Sequence, residues 1–185
     1  SMSGADLPEF SMNGGAVTGQ LSYRFDGKST LADLPKYREY LAQLVAHELA
    51  HIWQFSLARG GAGPDDPWIH EGGAEAMALD GLLQTGLWTQ EAVAAFNKQK
   101  LAVCDKLGNA VDSYDGIYAC GLVRFNKFGV PIVPLWRAMM ETSETKGEVY
   151  SASMIDAIHT LGWTLTAVPL AAIVAALILM RPARA

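Results

Sequence analysis

Basic stretches are missing from this chain. Its 14 lysines and arginines are scattered among 19 acidic residues, giving a net charge of −5. No stripe of them offers a footprint for a phosphate backbone, which excludes nucleic acid as a partner. The mild acidity points to no basic partner either. Cysteine is nearly absent. Cys104 and Cys120 are the two present, and they lack the spacing of a zinc–thiolate site. Either they pair in an oxidising compartment, across the Gly-, Asn-, Asp- and Ser-rich link between two helices, or they stay as buried thiols. Internal repeats and low-complexity linkers are also missing, so the 185 residues read as one domain large enough to bury a core.

Histidine is scarce, four residues in all, and two of them fall in one short motif. Val45 to Trp53 contains His-Glu-x-x-His. Apolar or aromatic residues at Tyr37, Tyr40, Leu41, Leu44, Val45, Leu49 and Ile52 follow the spacing of an amphipathic helix. On that helix His47 and His51 lie one turn apart on the same face, where both imidazoles reach one metal ion. Glu48 is rotated off that axis and faces a water on the same ion. Asp33 is the expected N-cap with Pro35 in the first turn, and the helix should run from about Leu34 to Leu57. A second segment, Trp68-Ile69-His70-Glu71-Gly72-Gly73-Ala74-Glu75-Ala76, follows a Gly/Pro/Asp loop. Two histidines and one glutamate make a catalytic zinc set, and Glu71 is the natural third ligand. Glu75 lies one turn further on the same face and is placed to accept from the free ring N–H of a ligating histidine.

These two segments resemble the gluzincin metallopeptidases, closest to the aminopeptidase N family. The resemblance implies one Zn²⁺ per chain held by His47, His51 and Glu71, with Glu48 as general base. The chain departs from the family in carrying His70 where an asparagine is usual. Nineteen residues separate His51 from Glu71, one more than the family's usual eighteen. Tyr118-Ala119-Cys120-Gly121-Leu122-Val123 resembles the family's Tyr-x-Lys-Gly-Ala segment, which implies that Tyr118 stabilises the transition state; Cys120 stands where the lysine would be. Gly14-Gly15-Ala16-Val17-Thr18 sits roughly where those aminopeptidases carry Gly-x-Met-Glu-Asn. The resemblance thus assigns substrate binding to Gly15, Ala16 and Val17, without the glutamate that binds a free amino group. The implied activity is zinc-dependent hydrolysis of a peptide or protein substrate. The alternative is a non-catalytic zinc-binding scaffold that retains the peptidase fold.

The expected class is α+β and mainly helical, a gluzincin-like catalytic domain over residues 1–160. Its short N-terminal strand region precedes a helical bundle carrying the zinc site. Residues 1–15 read as loosely held, and Gln20 to Phe25 alternates as a strand. Further helices are expected from about His70 to Gln84, Thr89 to Val103, Asp112 or Ser113 to Phe128, Pro131 to Thr142, and Ser151 or Ser153 to Leu161. Thr142 to Glu148 reads as a polar loop, and the five tryptophans as mostly core. Residues 161–185 stand apart. From Leu161 to Met180 no charge occurs, and Arg181 and Arg184 follow. About 20 apolar residues suffice for a membrane span, and basic residues after it would place the domain outside the cytoplasm. The alternatives are a final core helix and a soluble cytoplasmic protein.

Overall fold

The computed structural model describes residues 11–17, 19–26, 37–57 and 67–166. Two antiparallel strands, β1 (Ser11–Val17) and β2 (Gln20–Asp26), precede six helices: α1 (Arg38–Leu57), α2 (Pro67–Gln84), α3 (Gln90–Lys106), α4 (Tyr114–Lys127), α5 (Ile132–Lys146) and α6 (Ala152–Thr166). The architecture is mainly helical with one small sheet. Register runs from Ser11 opposite Asp26 to Val17 opposite Gln20, and Gly19 supplies the left-handed turn, φ 75°. β1 corrects the expectation of a loose N-terminal stretch up to residue 15. Ser-Met-Asn-Gly-Gly-Ala-Val carries almost no alternation of its own. It is a strand because β2 pairs along one edge and α1 packs against it.

α2 lies at the centre, packed against α1 on one side and α4 on the other. Its Trp68, Ile69, Ala74, Ala78, Leu79 and Leu82 are buried. The helix begins at Pro67, three residues ahead of expectation, because proline pre-sets the first helical φ and needs no N–H partner there. Glycine sets its spacing. A Cβ on Gly72 would lie 2.4 Å from the backbone of Gly121 in α4, and one on Gly73 would lie 2.5 Å from the buried Trp136 ring of α5. α2 and α4 therefore touch backbone to backbone beside Glu71.

Thr89 caps α3 and Ser113 caps α4, each accepting a main-chain N–H, from Ala92 and Gly116. Cys104 and Cys120 form a disulfide, which resolves the open choice between pairing and free thiols. It joins α3 to α4 in a small cluster with Ala119 and Val123. Closing a span of 16 residues contributes about 3 kcal/mol in the chain-entropy account. α5 outruns its expected end at Thr142 and takes in much of the expected polar loop. Thr142 and Thr145 return their hydroxyls to the carbonyls of Ala138 and Glu141, so their polarity is satisfied within the helix. Gly147, φ 69°, then ends it in the left-handed conformation. α6 likewise runs past Leu161 to Thr166.

The apolar stripe of α1 is only partly covered. Leu41, Val45, Leu49 and Trp53 line an open apolar groove of about 730 Å³ with Met77 and Leu82 of α2 and Leu87 beyond it. Leu49 is 52% and Trp53 38% exposed, so Trp53 is not the core residue expected; Trp68, Trp88 and Trp136 are buried. Asp33 and Pro35 lie outside the described residues, as do residues 167–180 of the uncharged run. Among the described residues no helix is long and apolar enough to cross a membrane.

Candidate metal centre

The site is assembled from adjacent turns of α1 and α2. His47 Nε2 and His51 Nε2 approach to 3.0 Å, and Glu71 Oε2 lies 3.2 Å from the first and 3.4 Å from the second. All three residues belong to a group whose donor atoms suit one metal ion. Those separations match the edge of a tetrahedron, about 3.3 Å when metal–ligand bonds are ~2.0–2.1 Å.

The hydrogen bonds around the triangle suit it to a cation. The carbonyl of His70 can only accept, and Gln54 Nε2 donates to it at 2.8 Å. The amide oxygen of Gln54 is thereby turned to His51 Nδ1, 2.7 Å away, so that ring nitrogen carries the proton. His51 Nε2 is left with a lone pair. His47 is oriented alike. Its buried Nδ1 has no hydrogen-bond partner and faces Glu75 Oε2 at 3.8 Å, within ion-pair reach but beyond a hydrogen bond. With the His47 proton on Nδ1 as well, two imidazole lone pairs and a carboxylate would meet, a set that a divalent ion would satisfy. Without the ion the cluster takes a proton instead. Burial lowers the pKa of His47, but Glu71 and Glu75 outweigh it and push it up to about 9. Burial raises Glu71, and the two imidazoles more than offset this, holding its carboxyl well below the usual carboxylate range. These are one interaction seen from both partners.

Glu75 is 2% exposed. Gln43, one turn before His47, donates to its Oε2 at 2.5 Å, and Lys100 of α3 donates to its Oε1 at 2.7 Å. Burial alone would raise its pKa; His47 and Lys100 bring it below the usual value. Glu48 borders the same cavity, about 230 Å³, with His47, Lys100, Tyr114, Tyr118 and the strand residues Met12, Asn13 and Gly14. Burial raises its pKa, against the pull of His47 and His51. A Cβ on Gly14 would lie 2.5 Å from Glu48 Oε1, so any larger residue there would displace the Glu48 carboxylate. The Tyr118 ring lies 5.6 Å from that of His47. Burial first, then Glu71 and Tyr114, raise its pKa far above the ordinary value, which keeps the hydroxyl a donor.

The expected ligands, Glu48, Glu75 and Tyr118 thus come together. The cavity is lined from β1 by Met12 to Gly14, displaced from the expected Gly15, Ala16 and Val17, and Val17 is 59% exposed. Sequence reasoning passed over Gln43 and Gln54, although their helical offsets from His47 and His51 were visible. Lys100 reaches the site only through tertiary packing, with no local signal. His70 stacks on His51, ring centroids 4.2 Å apart, and its Nδ1 meets the Tyr150 hydroxyl at 2.8 Å. Burial, then His51, lower its pKa to about 4, so it is neutral at neutral pH. Comparison with family models, curated proteins and solved structures finds no match.

Proposed function

We propose that this chain is a zinc-dependent hydrolase of peptide bonds, of the gluzincin type its motifs resemble. One observation carries the reading: two imidazole nitrogens and a carboxylate oxygen converge at 3.0–3.4 Å, with Glu48 and Tyr118 bordering a cavity that His47 also lines. His47, His51 and Glu71 would hold the ion. Zinc in such a site supplies Lewis acidity, which polarises a carbonyl and makes a water easier to deprotonate. Glu48 takes the water's proton on its carboxylate and delivers it to the leaving amine. Its raised pKa suits both halves of that task. Tyr118 donates its hydroxyl to the oxyanion as charge develops. Glu75 lies 3.8 Å from His47 Nδ1, and its charge favours the proton on that nitrogen, the tautomer that leaves Nε2 to ligate.

A scaffold that merely binds zinc has no use for a proton acceptor buried beside the ligands, so Glu48 favours the enzyme. The Cys104–Cys120 disulfide supports a place in an oxidising compartment, where such bonds persist. Attachment to a membrane through residues 161–180 belongs to the same proposal and rests on sequence alone. The test is Glu48→Gln in zinc-loaded protein, assayed on a mixed peptide library. The amide cannot accept the proton, so zinc content should stay at one per chain while hydrolysis disappears. Undiminished turnover would remove Glu48 as the base. A wild type that holds zinc and cleaves nothing would favour the scaffold.

A further inference from the structure

We propose that His70 and Tyr150 form a clamp that positions His51, coupling the C-terminal helix pair to the metal centre. The inference rests on the metal-site reading above.

Residue 70 holds His51 by two independent routes. Its backbone carbonyl accepts from Gln54, whose amide oxygen meets His51 Nδ1, with both contacts under 3 Å. This fixes the edge of the imidazole. Its side chain covers the face, with ring planes 18° from parallel. At 4.2 Å between centroids the two rings are in stacking contact, so the His70 ring limits how far the His51 ring can tilt. Edge and face together leave His51 no rotation except one that separates Nε2 from Glu71.

The face contact needs an anchor of its own, because an imidazole pivots about Cβ–Cγ. Tyr150 supplies it from the chain between α5 and α6. Its hydroxyl meets His70 Nδ1 across 80 residues of sequence. Tyr150 is itself 3% exposed and packs edge-on against Trp136, centroids 5.2 Å apart. Trp136, in turn, fills the space left by Gly73. A contiguous path therefore runs from α5 through Tyr150 and His70 to a ligand. Removing the hydroxyl should leave the core packed but release His70 to pivot, and His51 with it. Tyr150 and His70 are positioning residues, since neither touches substrate or metal.

The test uses the full chain loaded with zinc, and separately with cobalt as a visible probe. Tyr150→Phe keeps the ring against Trp136. Zinc should transfer to a chelator roughly 10-fold faster, the lower end for residues that orient a ligand. The cobalt ligand-field bands should shift as His51 gains freedom. A purely structural hydroxyl would lower the unfolding temperature and leave both readouts unmoved. His70→Phe keeps the stack but deletes Nδ1; in that background Tyr150→Phe should have no further effect on zinc release, because the two act as one unit. An unchanged release rate in Tyr150→Phe overturns the clamp, and so does the same tenfold effect in the His70→Phe background. Should Tyr150→Phe fail to fold, His70→Phe alone carries the test, with a comparable rise in release rate expected and wild-type release overturning the proposal. A wild type that binds no metal removes the metal-site reading as well, which distinguishes the two failures.

Discussion

At the scale of single residues, the proposed metal centre would set a proton against a metal ion. Without metal the His47 pKa rises from 6.5 to about 9. A raised histidine pKa stabilises the apo fold fully below the unfolded value, and the contribution fades as pH climbs through the folded one. Metal binding has the opposite slope, since the ligand must first lose that proton. Between pH 7 and 8, zinc uptake should therefore release about one proton per site, readable by calorimetry in buffers of different ionisation enthalpy. Release of none would mean that apo His47 is already neutral. Tyr118 is the second residue-scale case. Tyr118→Phe keeps the ring beside His47 and removes one donor to the oxyanion. With kcat and kcat/KM measured on a cleaved peptide, both should fall together by roughly 10²–10³, as for the loss of one such donor. Near-normal rates, with a collapse in Tyr114→Phe, would move the role to Tyr114, whose ring centroid is 5.0 Å from that of Tyr118.

At the scale of elements, the crossing of α2 and α4 decides whether the parts meet. Gly72 follows Glu71 directly, and Gly121 lies three residues after Tyr118, so the spacing of these backbones sets the distance from ligand to donor. Gly72→Ala would push a methyl against main-chain atoms that cannot swing aside. The helices must separate, at a cost of about 1–3 kcal/mol for overpacking, visible as a lower unfolding midpoint in denaturant. Unchanged stability would mean that the crossing tolerates more room than its geometry shows. The helices that carry His47, His51 and Glu71 were legible because a four-residue repeat of histidine and a Trp-Ile-His-Glu-Gly segment are local signals. The start of α3 at Thr89 was legible for the same reason, and that of α4 was narrowed to Asp112 or Ser113, of which Ser113 is the cap. β1 was not, because its Ser-Met-Asn-Gly-Gly run has no pattern until β2 and α1 enclose it. Tyr150 was invisible as a site residue: nothing near it in sequence mentions a histidine 80 positions earlier.

At the scale of the whole molecule, the ligand set is local while its supports are distant. His47 and Glu71 are separated by 24 residues, His70 and Tyr150 by 80. Closing the longer loop costs only about 1 kcal/mol more in chain entropy, so the difference matters for order of events more than for final stability. Contacts short in sequence form first, and long ones wait for the rest of the chain. If the site holds zinc as proposed, α1 and α2 would gather the ion while α5 and α6 are still unstructured, and zinc would act as a folding nucleus. Refolding from denaturant, followed by stopped-flow fluorescence, should be several-fold faster with zinc in the buffer than with a chelator. Equal rates would place metal capture after the last helix has docked. On that reading, scarcity of zinc in a cell would lengthen the time each newly made chain spends unfolded, and with it the chain's exposure to proteases.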